Sequence, residues 1–420
     1  MKIRRLKTRR EKVVLIGGEG DYCESCVGFY VGGKTLSPSR GFAPKYKSSY
    51  KDAKAVEHFL YSGITLVLDE SGDIRKWEDV GNSFTLTYVG SIYAPRHSAF
   101  EYLDGDTYWV AVYGGTRFVL VNDKKAIEED MPRAQKGACR HNGRTFVADW
   151  YEPFQVRWSG IGYINWMIEA GGAGYVNLNP VRGNVYRVIS MGDSLVVYRE
   201  FGIDVIKAYG DARHYSVVRQ SNGNVTERLN EYACAVCGET IYFCSDKNIY
   251  RYEDGKISRV KLPKCIKAKN FSTVKAYESR YVHFTCVNED DGKPWVLEMD
   301  VTDNKFAFFA PGKKFVWGTP GGFYAWDDDM IYSESGGEMD FTPLWRSCGI
   351  DLGCDSVKTL KSIYLDCTGD VAVCVKADGT ERTLNGRGKI PVNMSGINFV
   401  LEVSGRGKID LLEGEWEVRK

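Results

Sequence analysis

Two runs of acidic side chains, Glu289–Asp291 and Asp327–Asp329, are the densest groups of potential metal ligands in this sequence of 420 residues. Calcium binds where several oxygen ligands converge at about 2.4 Å, so either run could contribute to such a site. Both runs lie in short polar segments between strand-like stretches, where acidic side chains are normally solvated. We therefore interpret them as turn residues and predict no metal site.

The twelve cysteines include two CxxC pairs, Cys23/Cys26 and Cys234/Cys237, and two such pairs could together bind zinc. The pairs lie more than two hundred positions apart. Many of the other cysteines occur in strand-like runs, where a free thiol packs as a small apolar side chain. The sequence predicts reduced structural thiols, with no metal and no cofactor.

The histidines and the short motifs give no support for catalysis. The five histidines are scattered, and none is spaced as a ligand pair on a helix; they are His58, His97, His141, His214 and His283. The sequence has no HExxH, GxSxG or GxxxxGK[ST] motif. The strings ESGDIRKW and DGDTYW lack the offsets of a sialidase Asp-box. We predict that the protein is not an enzyme.

Four tryptophans could stack on sugar rings or on bases: Trp158, Trp166, Trp317 and Trp326. Large aromatic side chains more often fill the space between sheets, where each buries roughly 150 to 250 Å². We therefore predict that these four residues pack inside the fold.

The N-terminus is strongly basic although the whole chain has a net charge of only +1. Its first twelve residues hold seven Lys or Arg and one Glu. Such an arm could contact DNA phosphates or an acidic partner through its basic residues. The candidates are Lys2, Arg4, Arg5, Lys7, Arg9 and Arg10. No apolar run approaches the length of a secretory or membrane-spanning segment, so neither export nor a membrane partner is expected.

The elements that would position these residues are β-strands. The sequence has 45 Gly and 26 Tyr, a composition typical of short strands joined by tight turns. From residue 64 to 335, a hairpin pattern of alternating aromatic and aliphatic residues returns seven times. Its central residues are spaced by 36 to 50 positions; they are Val67, Val110, Phe146, Val196, Tyr242, Val282 and Phe323.

Repeats of about 40 to 50 residues, with four strands each, are typical of β-propeller blades. We predict an all-β protein with a propeller of six or seven blades. A β-sandwich is the competing architecture, but its strands usually recur every 8 to 12 residues without a longer period.

The flanking segments predict a second unit. From Trp345 onward, longer alternating runs and a turn at Asp378-Gly379 indicate a β-sandwich-like domain. We predict a basic arm and β segment over residues 1–60 that packs with this domain. The propeller is expected over residues 61–340 and the sandwich over residues 341–420. Helices are predicted over residues 48–63 and 124–134.

The stretch 131–206 resembles tail proteins of tailed bacteriophages, specifically the propeller-bearing tail nozzle and tail hub components of short-tailed phages. The resemblance rests on an ordered series: a Pro-containing segment, a His-x-x-Arg turn, an Arg-Trp-Ser with a downstream Trp, an Ala-Gly-Tyr, and a Gly-Asp before a strand. This chain lacks the residue that usually separates Arg from Trp. The matching positions are Pro132, His141, Arg144, Arg157, Trp158, Ser159, Trp166, Ala173–Tyr175, Gly192, Asp193, Leu195–Tyr198 and Glu200. The segment after Trp345 also resembles the β-rich ends of such proteins.

This resemblance implies a virion structural protein that assembles into a ring, commonly of six subunits, around the DNA channel of a phage tail. Its partners would be copies of itself, adaptor or portal-proximal rings of the tail, and genomic DNA in the lumen. It would be located in the virion tail, and in the host cytoplasm during assembly. His141 and Arg144 would anchor a turn and hairpin, while Arg157, Trp158 and Trp166 would fix blade packing.

A receptor- or glycan-binding propeller, which includes the possibility of a carbohydrate-active enzyme, is the alternative function. In that case Trp326 and Asp327 would contact a sugar.

Overall fold

The computed structural model describes residues 8–419, apart from residues 18–21, 33, 95–96, 169, 220–224, 278, 311, 328 and 336–340. Within these residues the chain forms 37 β-strands and two short 3-10 helices, Pro180–Arg182 and Ala212–His214. None of the described residues belongs to a helix long and apolar enough to cross a membrane. The predicted all-β class is confirmed.

The first fifteen strands cover the N-terminal segment and the beginning of the propeller. The N-terminal strands are β1 (Thr8–Ile16), β2 (Cys23–Val27), β3 (Phe29–Tyr30), β4 (Ser37–Pro38) and β5 (Gly41–Lys47). They are followed by β6 (Ala53–His58), β7 (Thr65–Asp69), β8 (Asp73–Asp79), β9 (Phe84–Ser91), β10 (Ser98–Asp104), β11 (Thr107–Val121), β12 (Ala126–His141), β13 (Arg144–Asp149), β14 (Gln155–Trp158) and β15 (Gly174–Asn177).

The remaining strands complete the propeller and form the C-terminal unit. The propeller continues with β16 (Val185–Met191), β17 (Ser194–Arg199), β18 (Gly202–Lys207), β19 (Ser216–Arg219), β20 (Leu229–Cys237), β21 (Thr240–Ser245), β22 (Ile249–Glu253), β23 (Lys256–Arg259), β24 (Ala268–Tyr277), β25 (Tyr281–Asn288), β26 (Pro294–Asp300), β27 (Lys305–Phe309), β28 (Phe315–Thr319), β29 (Gly322–Trp326) and β30 (Met330–Ser335). The C-terminal strands are β31 (Leu344–Ser347), β32 (Lys358–Thr368), β33 (Val371–Ala377), β34 (Thr380–Asn385), β35 (Gly388–Gly396), β36 (Phe399–Gly405) and β37 (Lys408–Arg419).

The propeller has seven blades, which we number in chain order. Blade 1 is β6 to β9, blade 4 is β16 to β19, blade 5 is β20 to β23 and blade 6 is β24 to β27. Blades 2 and 3 share the six-stranded sheet β10 to β15. Blade 7 consists of β28, β29, β30 and the N-terminal strand β5. All seven central residues of the predicted hairpins lie in the second strand of a blade.

The shared sheet divides into two blades because β11 and β12 are interrupted. The pairing register shifts between Gly115 and Arg117, and again between Gln135 and Gly137. The rings of Tyr113 and Phe118 stack at 5.3 Å, so the two halves of β11 lie side by side on one face. Blade 2 therefore contains β10, both halves of β11 and the first half of β12. Blade 3 begins with the second half of β12 and ends with β15.

The N-terminal strand β5 closes the ring by pairing with β30 as the outer strand of blade 7. The pairing contains a register shift next to Pro44, which suits an edge strand because proline donates no ladder hydrogen bond. Phe42 and Tyr46 of this strand are buried against blades 6 and 7 and against blade 1. The propeller therefore begins at β5, and not at residue 61 as predicted.

Both predicted helices are strands in the structure. Residues 48–63 contain β6, the innermost strand of blade 1, and residues 124–134 contain the outer strand of blade 2. Ala55, within the first predicted helix, lines the channel together with alanines of other inner strands. These are Ala99, Ala138, Ala235 and Ala276. Small side chains are needed where seven strands converge, so tertiary pairing overrides helix propensity.

The C-terminal unit is a sandwich of two sheets. One sheet has the order β1-β37-β32-β35 and the other the order β2-β31-β36-β33-β34. Leu360, Val373 and Trp416 are fully buried in its core. Each sheet thus includes one strand from the N-terminal segment, and the bridge between Val31 and Phe306 connects that segment to the outer strand of blade 6.

Candidate functional site: the central channel of the propeller

His141 lies at the end of the inner strand of blade 3 and connects it to blade 4. Its Nδ1 lies 2.9 Å from the hydroxyl of Ser190 on β16, and its Nε2 lies 3.1 Å from Nδ2 of Asn142. Asn142 also donates to the carbonyl of Ala208 in blade 4 at 3.1 Å. Burial lowers the pKa of His141. The neutral ring therefore holds two adjacent blades together.

Arg144 is buried and organises the long connection between β14 and β15. Its Nη1 donates to the carbonyl oxygens of Ser159, Gly171 and Gly172 at 2.8, 3.1 and 2.9 Å. Trp158 closes the same loop, because its Nε1 donates to the carbonyl of Gly172 at 3.2 Å. One guanidinium thus satisfies three carbonyls of a segment that has no regular backbone ladder.

The tryptophans and Arg157 of the motif pack within and between blades. Trp158 lies in the apolar cluster between blades 3 and 4, where its ring is 5.2 Å from that of Tyr215. Trp166 lies in the cluster between blades 2 and 3. Arg157 forms an ion pair with Asp149 at 2.9 Å, within blade 3 and not between blades. All five motif residues thus make packing or polar contacts in or beside blade 3.

The acidic run at residues 327–329 forms a turn between β29 and β30. Oδ1 of Asp327 accepts from the N–H groups of Asp329 and Met330 at 3.0 and 2.9 Å. Its Oδ2 accepts from the hydroxyl of Tyr332 at 2.7 Å. Burial alone would raise the pKa of Asp327, but these hydrogen bonds lower it below its ordinary value. Asp328 lies outside the described residues.

Equivalent caps occur in other blades, each at the end of the second strand. The side chains of Asp69, Asp149, Ser245 and Asn288 accept from backbone N–H groups two to four residues ahead. The run Glu289–Asp291 belongs to such a turn, since Asn288 accepts from the N–H of Asp290 at 3.0 Å. The acidic residues therefore recur because the same turn recurs.

We expect Asp327→Ala to lower the free energy of unfolding by about 2 kcal/mol, since it removes a cap of two backbone N–H groups and a hydroxyl. Chemical denaturation with and without calcium chloride would measure this. Asp329→Ala is the matched control, because the side chain of Asp329 is 77% exposed and pairs with Lys51 on the surface. Stabilisation of the wild type by calcium that Asp327→Ala abolishes would contradict the turn interpretation.

The four cysteines of the CxxC pairs are free thiols in strands. Cys23 and Cys26 lie in β2 of the sandwich, and Cys234 and Cys237 lie in β20 of blade 5. Burial raises the pKa of Cys234 to about 12 and that of Cys237 to about 11, which favours the protonated thiol. In the part of the chain that the structure describes, no three His, Cys, Asp or Glu side chains are grouped so that they could hold a metal.

Trp317 and Trp326 are each about 1% exposed and pack between blades 7 and 1. Trp77 of blade 1 contacts both, with ring centroids at 5.6 and 6.3 Å. The predicted burial is confirmed. Trp326 therefore presents no face on which a sugar could stack.

The basic N-terminal arm continues into the sandwich. Arg9 and Arg10 are exposed residues of β1, an edge strand paired with β37, and Arg9 forms an ion pair with Glu11 at 2.9 Å. The other four basic candidates, Lys2, Arg4, Arg5 and Lys7, lie outside the described residues.

The propeller encloses a channel cavity of about 980 Å³, lined by the first strand of every blade. Each inner strand contributes about five residues, which span roughly 17 Å. This volume over that length corresponds to a passage roughly 11 Å across once the radius of a water molecule is added on each side. The described lining residues include six Lys or Arg and three Glu. The lining of the channel is therefore net cationic.

A partly buried ion cluster in the channel connects blades 1, 2 and 6. Oε1 of Glu57 forms ion pairs with Nζ of Lys275 and with Nε2 of His97, the latter at 3.3 Å. Burial would raise the pKa of Glu57, but the charges of Lys275 and His97 hold it well below its ordinary value. Glu57 is thus an ionised member of the wall and is not available as a general acid near neutral pH.

A second cluster, centred on Glu298 of β26, fastens the N-terminal segment to blades 6 and 7. Glu298 is fully buried and accepts from Arg40 Nε at 2.9 Å, from the hydroxyl of Tyr30, and lies 2.6 Å from His283 Nε2. Arg40 also donates to Glu334 of blade 7 at 2.6 Å. Burial raises the pKa of Tyr30, which favours its neutral hydroxyl as donor.

No protein-family model and no curated protein matches the sequence. Among solved structures, the chain is similar to the β-propeller domain of Cps50 (Swd1) from Myceliophteria thermophila, with a TM-score of 0.51 and 11% identity over 70% of this chain and 100% of that one. The chain is a β-propeller protein. At this identity the likeness establishes the fold alone.

Two further structures give lower scores. The WD40 repeats of RRP9 have a TM-score of 0.47 at 9% identity, covering 70% of this chain and 98% of that chain. The Pan2 WD40 domain of Neurospora crassa has a TM-score of 0.49 at 9% identity, covering 72% and 98%.

Neither ion cluster was predicted from the sequence. Glu57, Lys275, Arg40 and Glu298 are far apart in the chain and occur in no motif. Charged residues inside runs of strand residues were the available signal, since a charge on an inner strand must face either the channel or a buried partner.

Proposed function

We propose that this protein is a virion structural protein: a hub- or nozzle-like subunit of a phage tail that assembles into a ring around the DNA channel. The observation that carries the proposal is the ordered motif series of residues 131–206. Its side chains His141, Arg144, Trp158 and Trp166 lie together around blade 3 as buried contacts. Because these residues contribute to packing, the resemblance supports a shared structural role and not a shared reaction.

The dimensions of the propeller restrict how such a ring would work. The grooves of a DNA duplex are about 8.5 and 7.5 Å deep, so the duplex is at least roughly 16 Å wide. A passage roughly 11 Å across cannot admit it. In the proposed assembly the DNA therefore passes between subunits, and the propeller forms part of the wall.

Exposed apolar side chains offer contact area for neighbouring subunits. They lie at the end of the propeller where the first and second strands of each blade join, and we call this end the turn face. Tyr61, Ile161 and Tyr209 are 69%, 63% and 59% exposed there. The rings of Tyr61 and Tyr108 stack at 5.6 Å across blades 1 and 2. Apolar surface spread over four blades supports association.

Mass photometry of the purified full chain, followed by negative-stain imaging, tests the assembly. For a six-membered ring we expect a species of about 284 kDa, six times the 47.3 kDa of one chain. Ile161→Asp is expected to reduce that species at least tenfold, because it places a charge in the apolar turn face. Val181→Asp, at a 72% exposed position at the opposite end, is the matched control.

A chain that remains monomeric at tens of micromolar, and that fails to bind purified tail particles, would contradict the proposal. Equal loss of the ring in both variants would place the contact elsewhere than on the turn face.

A further inference from the structure

At one end of the channel, lysines from separate blades lie at the same height along the channel axis, and we call them the lysine level. Lys54 and Lys136 are the second residues of their inner strand segments, and each lies opposite the end of the following strand. Lys314 lies at the same level, because its N–H donates to a carbonyl at the end of β29 at 2.8 Å. Arg187 of blade 4 lies one residue further along its inner strand, toward the middle of the channel. All four residues line the cavity.

Two of the three described carboxylates that line the channel, Glu57 and Glu101, are engaged away from the lysine level. Glu57 is paired with Lys275 and His97 near the turn face. Glu101 accepts from the N–H and hydroxyl of Ser62, both at 2.7 Å, and so caps the turn of blade 1. Among the described lining residues, Glu231 is the one carboxylate at the lysine end.

Lys54 and Lys136 have weak contacts. Lys54 forms an ion pair with Glu70 at 2.6 Å, but both side chains are at least half exposed, so water and salt screen the pair. Lys136 lies over the ring of Trp150, with Nζ 5.3 Å from the centroid. A multiply charged anion would gain more from these ammonium groups than either contact gives.

We propose that this end of the channel binds a phosphate-bearing anion, of the size of a short inorganic polyphosphate. Lysine is a point-charge binder of phosphate, and several lysines in a half-enclosed cleft attract anions more strongly than the same charges on an open surface. A passage roughly 11 Å across admits a chain of phosphate groups and is too narrow for a duplex. The site is separate from the turn face and does not depend on ring assembly.

Calorimetric titration of the full chain with sodium tripolyphosphate at low salt tests the proposal. The variant K54Q/K136Q/K314Q removes three charges from the channel mouth. The matched variant K247Q/K256Q/K261Q removes three exposed lysines of blade 5 that do not line the cavity. We expect the channel variant to weaken binding at least tenfold and the blade 5 variant less than twofold. Unchanged thermal unfolding would show that both variants remain folded.

A second arm distinguishes the source of the phosphate. A fluorescent single-stranded oligonucleotide that binds the wild type, is displaced by tripolyphosphate and is lost in the channel variant would identify a nucleic-acid strand as the ligand. Tripolyphosphate binding without oligonucleotide binding would identify a free anion. No binding of either probe, or equal weakening in both variants, would overturn the proposal.

Discussion

Glu298→Gln is expected to lower the free energy of unfolding by about 3 kcal/mol, because it removes the carboxylate that Arg40, His283 and Tyr30 share. The substitution keeps the shape of the side chain but removes one of the two described ion pairs of Arg40, whose side chain is 13% exposed, and keeps the pair with Glu334. Urea denaturation followed by tryptophan fluorescence would measure the change.

Glu417→Gln is the matched control for this experiment. Glu417 pairs with Lys361 at 3.2 Å on the surface of the sandwich, where Lys361 is 42% exposed. An exposed pair is worth roughly 0 to 1 kcal/mol, so this variant should unfold almost like the wild type. Similar losses in the two variants would mean that the buried cluster contributes no more than a surface pair.

The same cluster should make stability depend on pH. Burial lowers the pKa of His283 below 6.5, so at acidic pH the unfolded chain takes up a proton that the folded chain resists. Stability should therefore decrease as the pH falls below about 6.5. Glu298 acts in the same direction at lower pH: hydrogen bonds from His283 and Tyr30 and the charge of Arg40 outweigh burial and lower its pKa below 4.5.

Unfolding curves from pH 5 to 8 would show this effect. In His283→Gln the slope between pH 5 and 6.5 should decrease by up to about 1.4 kcal/mol per pH unit, the contribution of one proton. His58 and His141, whose pKa values burial also lowers, should leave a residual slope in the variant. An unchanged slope would show that His283 does not titrate as described.

Deleting residues 1–47 is expected to abolish cooperative unfolding altogether. The deletion removes β5, which closes blade 7, and the two N-terminal strands of the sandwich sheets. It also removes buried side chains such as Phe29, Phe42 and Tyr46. Each contributes roughly 1.5 to 3 kcal/mol, and a domain is typically stable by only about 5 to 15 kcal/mol. Scanning calorimetry should show no transition in the soluble fraction.

Deleting only residues 1–7 is the control, because β1 to β5 remain complete. We expect its transition temperature to stay within about 2 °C of the wild type. A chain without residues 1–47 that still unfolds cooperatively at the wild-type temperature would show that blade 7 is stable without β5.

The sequence predicted the repeated part of this fold because its signal is local. A hairpin places successive residues such as Val196 and Val197 on opposite faces within a few positions, and turn residues such as Asp69 and Asn288 mark its end. The burial of Trp317 and Trp326 was also predictable, because the space between blades is where large aromatic groups fit.

Closure of the ring was not predictable in the same way. The pairing of β5 with β30 joins segments almost three hundred residues apart, and no local pattern indicates it. The helix prediction over residues 48–63 failed for a related reason, since the position of β6 among the inner strands around the channel depends on blades that are distant in the sequence. The lysine level likewise could not be predicted, because only the folded arrangement of the blades brings these lysines to the same height.

The joining of the two ends of the chain in one sheet has a consequence for protein synthesis. Lys12 and Glu413 form an ion pair at 2.9 Å although they are 401 positions apart. At roughly 5 to 20 residues per second, β1 leaves the ribosome about 20 to 80 seconds before its partner β37 is made. During that interval β1 presents an unpaired edge, and its Arg and Lys side chains would discourage it from pairing with other nascent chains.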